Sequence, residues 1–138
     1  MKELEDDLRR VAREWLKAGW QQPDADVFRR LHAVDLRDHS ATGRSPDRDA
    51  FWRGVMELYA AFPDFRSVEE DLIAEPARGL IAIRWLATGT HRGAFLGVAP
   101  TGKTIRFAGI EIIRAEHGLV QERWGEWNGL EIAQQMQE

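Results

Sequence analysis

From Leu4 onward the apolar positions fall at Leu8, Val11, Trp15 and Leu16, the i, i+4, i+7, i+11, i+12 spacing of one helical face. This predicts a first helix that Gly19 can end. A shorter helix is predicted from about Asp24 to Leu31. Asp24 and Asp26 sit well at its positive N-terminal end, and Val27, Phe28 and Leu31 share one side. The polar, turn-rich stretch DLRDHSATGRSPD follows. Within it Ser45 and Pro46 read as an N-cap and a first-turn proline. They open a third helix with Phe51, Val55, Leu58, Tyr59 and Phe62 inward, and Pro63 closes it.

Beyond Pro63 the period changes. FRSVEEDLIA is followed by the turn EPARG, then LIAIRWLATGTH, the loop RGAFLGVAPTGK, TIRFAGIEIIRA, the tight turn EHG and LVQERWGEW. These read as about four strands joined by hairpins, and the amphipathic tail LEIAQQMQ adds one or two helical turns. Helices first and an antiparallel meander afterwards predict an α+β fold, with helices covering one face of a curved sheet.

One residue breaks the strand pattern. Phe107, Gly109, Glu111 and Ile113 share one face of their strand, while Ala108, Ile110 and Ile112 share the other, and both faces are largely apolar. A carboxyl buried there is harder to ionise, so its pKa rises and it becomes able to exchange a proton near neutral pH. The competing reading puts Glu111 on a solvent or dimer face, or pairs it with Arg84, Arg106 or Arg123.

Composition narrows the chemistry. The 138 residues suit one domain, and 43% hydrophobic with 30% charged residues is ordinary for a globular protein. A formal charge of −4 argues against nucleic acid or an anionic membrane as partner, so a small hydrophobic molecule is the expected one. The absence of cysteine removes disulfides and thiolate chemistry. There is no glycine-rich phosphate loop after a strand, no His-Glu-x-x-His and no close histidine pair to hold a metal. Ser40, Ser45 and Ser67 lie in loops or caps, which disfavours a serine triad. The opening MKELEDDLRR is too charged for a signal peptide and no apolar run could span a membrane, so the cytoplasm is the expected compartment.

The strings GTHRGAFLGVAPTGKTIRFAGIEIIR and GLVQERWGEWNGLEIAQQM, with AAFPDF before them, closely resemble the SnoaL-like polyketide cyclase family of the nuclear transport factor 2-like superfamily. The resemblance covers nearly the whole chain. It implies a cone: a strongly bent sheet around a pocket whose other wall is three helices, often dimeric through the sheet's outer face. It also implies metal- and cofactor-free chemistry of the polyketide- and ester-cyclase type, an intramolecular aldol ring closure in which one acidic residue serves as acid and base. Aligned on the tail, the family's catalytic Asp is replaced by Gly125, the last of the trio Arg123, Trp124, Gly125, so the alternative to an enzyme is a non-catalytic small-molecule-binding or dimerisation module of the same fold that has lost the acid. A pocket histidine of the family aligns with Glu111, and a pocket asparagine with Asp38. Epoxide hydrolases of the same superfamily use an Asp-Arg-Asp set, for which Asp38, Arg123 and Glu111 are the ingredients here.

The candidate acid/base residues are therefore Glu111, Glu126, Asp38 and His39. Strict alternation points Glu126 away from the pocket unless Gly125 permits a bulge. Asp38 either orients the imidazole of His39 or is an Asx-turn residue above it. Candidate substrate contacts are Trp15, Tyr59, His91, Arg123, Trp124 and Trp127; Trp15, Tyr59, Trp124 and Trp127 belong to an aromatic set that also holds Trp20, Trp52 and Phe95, and core packing explains most of that set equally well. His91 also reads as a strand-end residue bonded to loop backbone, while His32 and His117 read as solvated.

Overall fold

The computed structural model describes residues 1–138. Three helices, α1 (Lys2–Trp20), α2 (Ala25–Leu31) and α3 (Arg48–Ala61), lie in the N-terminal half, with strand β1 (His32–Asp38) between the second and third. Strands β2 (Arg66–Glu75), β3 (Leu80–Thr90), β4 (Thr104–Glu116) and β5 (Leu119–Trp127) follow, and α4 (Gly129–Gln137) ends the chain. The sheet has five strands in the order β1-β5-β4-β3-β2, antiparallel except for the parallel β1–β5 pair. This is the expected α+β arrangement. No helix is long and apolar enough to cross a membrane.

Local chemistry explains most boundaries. Asp24 caps α2 by accepting from the Val27 amide at 3.1 Å, and α3 is capped by Asp47, which accepts from the Ala50 amide at 2.8 Å, rather than by Ser45. His117 and Gly118, with φ of 54° and 77°, form the tight two-residue turn between β4 and β5, where positive φ matches the twist of the strands.

The strand absent from the sequence reading is β1. Its burial pattern is irregular, and its pairing with β5 slips between His32 and Arg37, so no period of two was there to read. Its first residue also corrects an expectation, because His32 is buried at 2% exposure rather than solvated. Trp15 Nε1 donates to His32 Nε2 at 2.9 Å, and the Phe28 carbonyl lies 2.5 Å from His32 Nδ1. An indole N–H can only donate, so Nε2 must be the acceptor and Nδ1 must carry the proton. Only the neutral ring fits.

Two apolar clusters form the interior. One joins α1, α2 and α3 to Ile81, Ile83, Ile113 and Val120; the other gathers Phe62, Phe65, Trp85, Phe107, Ile132 and Met136. Trp20 and Tyr59 pack against both, and the space between the clusters is where a ligand-sized hollow opens.

Burial lowers the pKa of His32 from 6.5 to about 4. Because the folded value is depressed, the stabilisation is complete above about pH 6.5 and is lost as pH falls toward 4. Urea titrations should show wild-type stability falling by roughly 2 kcal/mol more than that of His32→Phe between about pH 7 and pH 5. Parallel pH profiles would refute this role.

Candidate active site

The hollow between the two clusters has a volume of about 530 Å³ and is half apolar in its lining residues. Its walls come from α1 (Leu16, Trp20), from α3 (Phe51, Val55, Leu58) and from the inner face of the sheet (Trp85, Glu111, Arg123). The loop between β3 and β4 contributes Phe95 and Leu96. A space of this size suits a small organic ligand.

Glu111 lies on the inner face at 4% exposure. Arg123 Nε donates to its Oε1 at 2.8 Å, and the Nη1 of the same guanidinium donates to Asp38 Oδ1 at 3.1 Å. The cation also stands over the Phe51 ring, with Cζ 4.8 Å from the centroid. Burial raises the pKa of Glu111, outweighing the opposing pull of Arg123, whose charge is shared with Asp38. Arg123 itself is pushed toward proton loss by burial, but Glu111 and then Asp38 hold it firmly protonated. The two readings of Glu111 are thus both present: it faces the cavity, and an arginine pairs with it.

Position 125 explains how the carboxyl fits. Glu111 and Gly125 are cross-strand partners, and a Cβ built on Gly125 would collide with Glu111 Oε2 and with the Arg123 guanidinium. The backbone amide of Gly125 donates to Ser40 Oγ at 2.8 Å. The missing side chain is the room in which the ion pair sits.

The other candidates are placed as follows. The β4–β5 register runs unbroken from Glu122 to Trp127, so no bulge turns Glu126 inward; it pairs with Ile110, is exposed, and only borders the cavity. Asp38 is buried behind Arg123 and does not line the cavity; its Oδ1 also accepts from the Ser40 amide at 3.0 Å, which is an Asx turn. His39 does line it, yet its partner is Glu122, at 3.0 Å, not Asp38. The His39 ring stacks on Trp124 with centroids 4.7 Å apart.

Among the aromatic candidates Trp20, Phe95 and Trp127 line the hollow, whereas Trp15, Trp52, Tyr59 and Trp124 do not. Trp15 is spent on His32, Tyr59 packs edge-on against Phe65, and Trp124 lies on the outer face opposite Ile112. His91 is fully buried at the strand end, where its Nδ1 accepts from the Thr101 amide at 3.3 Å and its ring stacks on Phe62. Arg123 is the sequence-chosen contact that lies at the centre. Arg44 and Trp85 line the cavity without having been singled out, as does Phe51, which the sequence marked only as inward-facing, and one clue was legible: Gly54, a glycine inside a helix, leaves space that Arg44 fills.

Solved structures with the same architecture are numerous. AclR of Streptomyces galilaeus, provisionally a hydroxylase, is 23% identical with a TM-score of 0.85 over 96% of this chain and 97% of its own. A provisionally assigned SnoaL-like polyketide cyclase of Jannaschia sp. CCS1 is 20% identical with a TM-score of 0.86 over 96% and 93%. IdmH of Streptomyces antibioticus, which carries a provisional polyketide-cyclase assignment, is 26% identical with a TM-score of 0.80 over 95% and 99%. Differing assignments on one architecture mean that these likenesses establish the fold and leave the reaction to the site. A search of curated proteins returned no match. The profile of the SnoaL-like polyketide cyclases matches residues 10–136, nearly the whole chain, and the protein belongs to that family.

Proposed function

We propose that this protein is a cofactor-independent acid/base enzyme that closes a ring by intramolecular aldol addition in a hydrophobic carbonyl compound. The observation that carries the reading is the position of the Glu111 carboxyl, seated over Gly125 where relatives are expected to carry their acid. The acid reaches the same place from the neighbouring strand.

In the proposed reaction ionised Glu111 takes a proton from the carbon beside a carbonyl. The resulting enolate carbon attacks a second carbonyl carbon of the same molecule, forming a C–C bond. The new alkoxide then recovers the proton from Glu111, so the product is an isomer of the substrate and no redox partner enters. Arg123 is close enough to Glu111 to stabilise negative charge developing beside it. A carboxyl with a raised pKa is a stronger base once ionised, which suits proton transfer from carbon.

A second reading has one observation in its favour: Arg123 bridges Glu111 and Asp38, the carboxylate-arginine-carboxylate set of an epoxide hydrolase. Asp38 is sealed behind Arg123, out of reach of a cavity water, and this ranks hydrolysis below ring closure. We further infer that two copies pair through the outer face of the sheet, where Leu86, Ile110 and Ile112 are exposed at 40%, 51% and 38% beside Trp124.

Deuterium exchange at the α-carbon of α-tetralone, followed by NMR, tests the acid/base reading. Wild type should accelerate exchange, and Glu111→Gln should lower that acceleration by roughly 10²-fold or more in protein that circular dichroism shows to be folded; equal rates for the two proteins would overturn the assignment. The wild-type rate should fall as pH drops through the pKa of Glu111, at a point above the ordinary carboxyl value of 4.5, because only the ionised form is a base. For the pairing surface, sedimentation should give a dimer for wild type and a monomer for the double substitution Ile110→Glu, Ile112→Glu. A wild-type monomer would refute that surface.

A further inference from the structure

Arg44 lies in the loop between β1 and α3, and its guanidinium lies against bare helix backbone at Gly54. A Cβ on Gly54 would collide with Arg44 Nη1 and come within 2.7 Å of Cζ. A glycine in the middle of a helix costs about 1 kcal/mol relative to alanine, so its presence here goes with the arginine it accommodates. Both residues line the cavity.

The pairing of Arg44 is incomplete. Its nearest carboxylate, Asp38 Oδ2, is 3.5 Å from Nη2, too far for a good hydrogen bond, and Asp38 already serves Arg123 and the Ser40 amide through its other oxygen. Arg44 Nε is buried and meets no acceptor in the protein. Structural arginines of this chain look different: Arg114 Nε donates to Glu122 at 2.6 Å, and Arg84 Nε donates to Asp71 at 2.7 Å. The carboxylates of Glu57 and Glu126 also border the cavity, but both are exposed, where solvent and salt screen them.

We propose that Arg44 is the anchor for an ionised carboxylate on the substrate, so that the cavity takes an apolar carbonyl compound that is also an acid. A guanidinium offers donors in a planar fork that matches a carboxylate, and a ligand carboxylate would bond the Nη groups of this partly exposed side chain, which Asp38 holds only at 3.5 Å. Phe51, Trp85 and Trp127 offer apolar wall for the remainder of the ligand. The inference rests on the proposed function only in taking this cavity as the substrate site.

Calorimetric titration with 2-naphthoate and with uncharged, similarly shaped 2-naphthamide tests it. Wild type should bind the acid about tenfold more tightly than the amide, as a charge-assisted pair requires. Arg44→Met should remove that preference, acid affinity falling to that of the amide. Gly54→Ala, a substitution that favours the helix, should weaken the preference by crowding Arg44 out of place. Equal binding of acid and amide by wild type, or a preference that survives in Arg44→Met, would overturn the anchor and leave the acid/base reading intact. Binding of neither probe by folded wild type would likewise overturn the anchor, while accelerated α-tetralone exchange would still uphold the acid/base reading. A preference lost with Arg44, in a protein whose Glu111→Gln variant still catalyses exchange, would uphold the anchor and refute Glu111 as the base.

Discussion

One guanidinium holds the functional end of this molecule together. Arg123, on β5, reaches Glu111 on β4, Asp38 at the end of β1 and the face of Phe51 on α3. Four separate elements meet on it. A buried cation needs compensation, and here it receives more than one charge's worth, because two carboxylates share it. The balance has a chemical consequence: burial raises the pKa of Glu111 against the opposing pull of Arg123, and the nearby Asp38 charge adds to the rise.

Absent side chains shape the site as much as present ones. Gly125 leaves space for the Glu111–Arg123 pair, and Gly54 leaves space for Arg44. Both gaps open on a hollow that exists because the interior is packed as two clusters rather than one. Glu111 and Gly125 occupy one place on the inner face, since adjacent strands bring cross-strand partners within a few ångströms of one another.

Much of this was legible along the chain. The face of α1 is written in Leu8, Val11, Trp15 and Leu16, all buried, and the meander from β2 to β5 follows from alternating runs broken by turn residues. Glu111 announced itself as a carboxylate in an apolar strand. The strand β1 did not, because its register slips and its buried set includes His32 and Asp38, which a hydrophobic pattern does not count. His32 read as solvated for a related reason: nothing local reveals that Trp15, 17 positions earlier, will donate to it.

What the sequence by itself determined is the N-terminal helices, the meander from β2 to β5, the fold class and the presence of one carboxylate where an apolar residue belonged, since these depend on periodicity and on chemistry local to each segment. Only the tertiary structure decided which residues share the site. Arg123 and Asp38 are 85 positions apart, yet one bond joins them, and Arg44 gains its place only when α3 presents Gly54 to it. Such pairings are set by strand register and helix packing, which bring distant side chains together by geometry that no short stretch encodes.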